Sequence, residues 1–468
     1  MMSQMVSVDP YRPPRPKPLT PIKALIRVAL SGDGNLLGLV PAEAYRKPAG
    51  YLGYSRRSIL IVNDPDLTRG IMTDPTDIYP KNDLMVGALE PLVGDSIFVS
   101  SGDRWRRQRR MIDPAFSHMR LTRAFASMSA AVDDYEQRLQ ESALNGPPFS
   151  LDLAMGHLTA DIITRTVFST SLESETAKEV FEAFSEFERS VAHVELKRLI
   201  VDPPFKAIPQ HDHVLDACKR IRHHLGALVD RHLRPGTNGT TCPFDDIAAA
   251  VISARDEESG ERFSRDELID QLGVFFLAGH ETTASALTWA FFILATRPEV
   301  MARVREEVDR VVGEGPVSFE HTRHLTYIRS LFKETLRLYP PITFIPRVAA
   351  EPVQIGKYKV KRGAMIMIAP WVIHRHQDYW DDPDLFDPDR FSPEREKAIQ
   401  PGTYMPFGLG PRVCVGAGFA GVESALILAQ LARRFDFAVE DADEVRPVAR
   451  LTTRPAEQIM CRVSPRSA

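Results

Sequence analysis

A mainly α-helical chain carrying small β-sheets is the class this sequence predicts, on three observations. The first is an apolar run from Leu268 to Leu294, which follows the capping box Ser264-Arg265-Asp266-Glu267 and is stopped by Pro298. It predicts a helix of about 33 residues, on the order of 50 Å long and apolar nearly all round, which only a large core can bury. The second is the stretch 120–235, where amphipathic runs at 124–144, 151–168, 174–194 and 211–233 are broken at Asp202-Pro203-Pro204. The third is a set of short alternating runs bounded by turn residues, at 51–54, 58–62, 353–360 and 364–368.

In chain order, residues 1–21 are proline-rich and read as an irregular, surface-hugging arm. The strand at 58–62 ends in the turn Asn63-Asp64-Pro65, and residues 82–100, punctuated by Gly87, Pro91 and Gly94, predict a long loop lining a site. Next, Arg104-Trp105-Arg106-Arg107-Gln108-Arg109-Arg110 places five arginines within seven residues. A solvated helix face, a contact for an anionic group or acidic partner, and nucleic-acid binding are all open readings. No aromatic interleaving supports the last. The histidines His211, His213, His223, His224 and His232 show no metal-ligand spacing.

Inside the long helix, Ala278-Gly279-His280-Glu281-Thr282-Thr283 is an unusual thing to bury. Glycine weakens a helix, and a core glutamate must be paired or functional. A zinc-protease reading fails because H-E-x-x-H needs a histidine where Ala284 stands. Further on, Glu334 and Arg337 share a helical face that Tyr339-Pro340-Pro341 ends, and 451–455 fits a late hairpin turn dipping into a pocket. In Phe407-Gly408-Leu409-Gly410-Pro411-Arg412-Val413-Cys414-Val415-Gly416, glycines let the backbone turn tightly beside a flat ligand. Cys414 stands ahead of a helical run, where free N–H groups and the dipole favour a thiolate. The bland alternative is a small buried hydrophobe. A dinucleotide-binding reading fails, since Val413 occupies the third glycine position.

The segment 407–420 resembles the haem loop of the cytochrome P-450 family, through Phe407, Gly408, Gly410, Arg412, Cys414, Gly416 and Ala420. The resemblance implies that fold, with haem b (iron protoporphyrin IX) between the long helix and the loop, and Cys414 as axial iron ligand. Ala278, Phe407, Gly408 and Gly416 would then lie against the cofactor. Trp105, Arg109, Arg347 and His374 would hold its propionates, and Arg412 would also belong to the cofactor site. Gly279 would open space beside the iron, Thr282 would hydrogen-bond dioxygen and water, and Glu281 would relay protons from solvent. Glu334, Arg337 and Arg390 would form a buried bracing triad. The implied activity is a monooxygenase that takes O2 and two electrons and oxidises a small to medium lipophilic substrate. The other readings are a haem-thiolate peroxygenase or isomerase, and a haem-binding sensor without turnover.

Length alone suggests roughly three domains, but these positions run from Trp105 to Cys414 and would meet at one cofactor. The expectation is therefore a single catalytic domain over 22–468, behind the 1–21 arm. The 58 basic and 62 acidic residues give a net charge of -4, which offers no general attraction to nucleic acid. The cysteines Cys218, Cys242, Cys414 and Cys461 show no close pairing, and no signal peptide or membrane anchor is apparent, so a cytoplasmic enzyme is expected. No flavin or nicotinamide motif is present. Electrons are expected from a separate ferredoxin, or a flavodoxin, and its reductase.

Overall fold

The computed structural model describes residues 11–20, 23, 26, 35–52, 58–191, 210–234 and 244–466. Its helices are α1 (Pro65–Met72), α2 (Asp83–Val93), α3 (Gly102–Ile112), α4 (His118–Asn145), α5 (Leu151–Phe168), α6 (Glu175–Val191) and α7 (Asp212–Leu233) in the first half. The second half adds α8 (Ile247–Ser253), α9 (Arg265–Thr296), α10 (Pro298–Val311), α11 (Phe319–His324), α12 (Thr326–Leu338), α13 (Pro370–Ile373) and α14 (Ala417–Arg434). The break at Asp202-Pro203-Pro204, Cys242 and residues 1–10 of the arm lie outside the described residues.

Helix α9 is the axis. Its capping box forms in both directions, Glu267 N–H to Ser264 Oγ (3.2 Å) and Ser264 N–H to Glu267 Oε2 (2.8 Å). Leu272, Phe276, Leu287, Trp289 and Phe291 are fully buried on its several faces. Each such side chain is worth about 1.5–3 kcal/mol when taken out of water, so packing rather than propensity holds the helix. α5 lies along it most intimately, and α12, α14 and β8 (Phe435–Val439) cover its second half.

Beside the helices lies a four-stranded sheet, ordered β1 (Ala49–Leu52), β2 (Ile59–Val62), β7 (Met365–Ile368), β4 (Ile345–Val348). The central strands Ile-Leu-Ile-Val and Met-Ile-Met-Ile run parallel and are buried at every position, as a sheet covered on both faces requires. β3 (Phe149–Ser150) and β8 flank β11 (Met460–Pro465), and β9 (Pro447–Ala449) pairs with β10 (Thr453–Pro455) in a hairpin. The arm's described part packs against the body: Phe386 N–H donates to Tyr11 O (3.0 Å) and Tyr339 Oη to Pro14 O (3.0 Å).

Two sequence expectations are corrected. The stretch 353–360 is not one strand but a hairpin of β5 (Val353–Ile355) and β6 (Tyr358–Val360), turned at Gly356 with φ +52°. The expected loop at 82–100 contains α2, capped by Asn82 Oδ1 on Leu84 N–H (3.0 Å). Pro91 sits inside that helix and cannot donate to Gly87 O; the Gln210 side-chain amide does so instead, at 2.9 Å. A partner more than a hundred residues away thus makes the proline tolerable.

Candidate active site

Between α9 and the loop that precedes α14 lies a cavity of about 570 Å³. Its walls include Ala278, Gly279, Thr282 and Thr283 from α9, Phe407, Gly408, Cys414 and Gly416 from the loop, and Leu451 from the tip of the β9–β10 hairpin. The loop is tied by its backbone: Cys414 N–H donates to Phe407 O at 2.9 Å. Gly408 and Gly410 have φ of +78° and +69°, and a Cβ at Gly410 would come within 2.9 Å of Met72 O, so the turn needs glycine. Cys414 lies deep in the protein, yet its side is open to the cavity. Burial pushes its thiol pKa up, opposed by the Gly416 N–H and by Arg109. A thiolate at this depth therefore calls for a cation to bind.

At one end of the cavity three cations converge. Arg412 donates to Ser100 O (3.1 Å) and lies over the Trp105 ring, 4.3 Å from its centre. Among the described residues, Arg347 donates only to Pro346 O (3.0 Å) and Met72 Sδ (3.6 Å). Lys81, bridged backbone to backbone with Arg347, donates to the carbonyls of Ile97 and Phe98. Among the described residues no carboxylate forms a salt bridge with any of the three. Burial and mutual repulsion lower the Lys81 pKa well below normal, and burial brings Arg347 and Arg412 down to about 10. Such a cluster wants an anion, and the two propionates of a haem whose iron meets Cys414 fit the demand. Sequence reading missed Lys81, since no motif surrounds it; only the pairing of residue 81 with β4 brings it to the cavity.

Other expected residues take different places. Arg109 lines the cavity but donates to Val413 O (2.7 Å) and pairs with Asp113 (2.6 Å), so it braces the loop beside Cys414. His374 is corrected as a propionate contact: it is fully buried behind the loop, not in the cavity wall. Its Nδ1–H donates to Arg337 O (3.2 Å) and its Nε2 accepts from Met405 N–H (2.9 Å). Burial, with Arg337 and Arg375 nearby, depresses its pKa to about 3. Below the usual 6.5 the unfolded chain binds a proton that the native state refuses. Stability from this residue is full above 6.5 and falls as pH drops towards 3, at up to ~1.4 kcal/mol per pH unit. His374→Gln should show a shallower acid slope than the parent in denaturant titrations at pH 7 and pH 5; an unchanged slope would clear His374 of the effect.

On α9, Ala278 opens to the cavity, and Thr282 Oγ1 donates to Ala278 O (2.7 Å), keeping its lone pairs available to a cavity donor. Gly279 lines the cavity, and a Cβ there would meet Ile163 at 2.6 Å, so glycine also lets α5 approach. Glu281 is buried but turned out of the cavity wall, accepting from Thr452 Oγ1 and from Arg454 Nε (2.6 Å) and Nη2. Arg454 is 38% exposed and links this acid to the surface.

The arginine run of α3 is not a bare basic patch. Arg104 pairs with Asp95, Arg106 with Asp103 (2.9 Å) and Asp77 (3.2 Å), Arg107 with Glu267 (2.8 Å), and Arg110 with Asp256 (2.9 Å) and Glu258 (2.8 Å). Behind the loop, Arg337 grips Glu334 with two 2.7 Å hydrogen bonds, both residues fully buried, while Arg390 Nε stands 3.6 Å from Glu334.

Sulfur on one side, cations without a salt-bridge partner among the described residues at one end, and apolar walls between them fit a haem held through its iron by Cys414 and through its propionates by the cations. The chain belongs to the cytochrome P-450 family: the model for that family, described as Cytochrome P450, matches residues 16–462. It is 31% identical to Protein LUTEIN DEFICIENT 5, chloroplastic, of Arabidopsis thaliana over 86% of this chain and 69% of that one. It is 28% identical to pentalenene oxygenase of Streptomyces avermitilis, over 86% and 87%. A cytochrome P-450 crystal structure superposes with a TM-score of 0.75 at 24% identity, covering 87% of this chain and 89% of that one.

Proposed function

We propose that the chain is a haem-thiolate monooxygenase whose iron is held by Cys414 and which oxidises a small to medium lipophilic compound. What carries the reading is one juxtaposition: the Cys414 sulfur and the Thr282 hydroxyl face the same apolar cavity. Haem, when bound, supplies the activation of O2. The chain's residues do the rest. Lys81, Arg347 and Arg412 would neutralise the propionates, Phe407 and Gly408 would flank the ring, and Thr282 would steady a proton at Oγ1. Leu84, Met85 and Phe98 would exclude water and favour apolar ligands. The relative named pentalenene oxygenase supports a lipophilic substrate.

Residues from Lys81 to Leu451 share this site, which supports a single catalytic domain over 22–468. The family requires a redox partner; a ferredoxin, or a flavodoxin, with its reductase is our assignment. Because the α3 arginines are already paired, docking would rely on little net positive charge from that helix. No helix among the described residues is long and apolar enough to cross a membrane, and Cys218, Cys414 and Cys461 are free, which supports a cytoplasmic site of action.

The test is turnover of a lipophilic panel with NADH, ferredoxin and reductase, against peroxide alone. Product should depend on the electron supply. In Thr282→Ala, NADH consumption should continue while product per NADH falls about tenfold, the equivalent of one lost hydrogen bond in the proton path. Unchanged coupling would remove Thr282 from the mechanism, and product from peroxide alone would favour a peroxygenase.

A further inference from the structure

Five cationic side chains line the cavity, Lys81, Arg109, Arg347, Arg412 and Arg450, and among the described residues no aspartate or glutamate joins them. Four of the five have a use. A haem brings two propionates, which Lys81, Arg347 and Arg412 would answer, and Arg109 is tied to Asp113 and to Val413 O. Arg450 has neither. It also stands apart from the propionate group: the cations that bear on Lys81 are Arg412 and Arg347, and the one that bears on Arg347 is Arg412.

Arg450 sits at the turn of the β9–β10 hairpin, a rigid mount. Its N–H donates to Thr452 O (3.1 Å), while Ala449 N–H donates to Asn35 Oδ1 (3.1 Å) and Thr453 N–H to Pro341 O (3.0 Å). Thr453 O in turn accepts from Ser285 Oγ (2.7 Å) and Trp289 Nε1 (3.0 Å) of α9, which ties the hairpin to the central helix. The arginines four residues before and after are satisfied. Arg446 donates to the carbonyls of Asp443 (2.5 Å) and Val445 (2.8 Å), and Arg454 holds Glu281. Arg450 is partly buried, and its Nε is shielded from solvent with no hydrogen-bond partner among the described residues. A buried donor without an acceptor is costly, and native folds seldom keep one without a use.

We propose, on the monooxygenase reading above, that Arg450 receives the substrate's carboxylate, so that the compound oxidised is an amphipathic acid, an apolar body with one anionic end. A guanidinium is a permanent cation and offers a planar fork of N–H donors matched to two carboxylate oxygens. In a largely apolar cavity such a pair is little screened, and no acid of the lining competes for the fork. Leu451, next in the turn, and Leu36, next to the Asn35 that ties Ala449, would cover the first carbons of the body. A methyl ester of the same acid keeps the apolar contacts and forfeits the charge.

The test is a titration of the ferric holoenzyme at pH 7 with decanoate and 2-naphthoate, each against its methyl ester, read by the shift of the haem absorbance, which needs no turnover. At least one acid should bind the parent about tenfold more tightly than its ester, as one charge-assisted hydrogen-bonded pair allows. In Arg450→Gln that acid should weaken by about the same factor while the ester binds as before, and Arg450→Lys should restore part of the preference. Haem content and melting temperature of the glutamine variant should match the parent. Acids that bind the parent no better than their esters, or not at all, overturn the proposal without recourse to a variant. So does an Arg450→Gln that weakens acid and ester alike, the mark of a structural role, or one that loses haem with acid binding retained, the mark of a propionate contact. Failure of the monooxygenase reading would appear separately, as a parent that binds the acid yet makes no product when supplied with electrons.

Discussion

Cys414→Ser should lower monooxygenase turnover by on the order of 10³-fold, about 4 kcal/mol of barrier, while leaving the fold intact. The loop is fixed by backbone, through Cys414 N–H on Phe407 O and Arg109 on Val413 O, and neither bond uses the sulfur. Serine fills nearly the same space, so stability should move by less than ~1 kcal/mol. What goes is the soft, easily ionised donor: a hydroxyl oxygen pushes far less electron density onto iron than a thiolate. Haem content, thermal melting and turnover on one preparation check this. Turnover within tenfold of the parent would show that another residue holds the iron.

Arg337→Ala should cost ~3–5 kcal/mol, because it strands the buried carboxylate of Glu334. It also deprives the carbonyls of His374 (2.8 Å), Pro383 (2.6 Å) and Leu385 (2.9 Å) of their donor. Those carbonyls, with Asp387 N–H on Glu334 Oε1 (2.8 Å), hold the segment that leads to the Cys414 loop. Haem loss should therefore accompany the fall in stability. Lysine should rescue little, since one ammonium cannot replace a planar fork that serves a carboxylate and three carbonyls. Denaturant titration with absorbance of the released cofactor measures both; a loss below 1 kcal/mol would mean the network is dispensable.

The sequence was most legible where chemistry is local. The Ser264–Glu267 box and Pro298 bracket α9 within a residue or two, and the glycines around Cys414 announce a tight loop before any coordinate is known. Pairing across long separations was not legible. The α3 arginines find Asp77, Asp95, Asp256, Glu258 and Glu267, which no spacing rule connects. Glu281 finds Arg454 only because the β9–β10 hairpin reaches α9. His374 carries the right chemistry for an anion, yet it is spent on Arg337 O and Met405 N–H. Helix α2 escaped because its proline is excused by Gln210, and Lys81 because its neighbours are cations from two other segments.

The sulfur at position 414 is what the haem chemistry depends on, and the most direct measurement of its role is the absorbance of the reduced holoprotein under carbon monoxide. A Soret band at the long wavelength distinctive of thiolate ligation, lost in Cys414→Ser, is the predicted result. A band at the shorter wavelength of nitrogen-ligated haem in the fresh parent protein, or a red-shifted band that survives in Cys414→Ser, would contradict it.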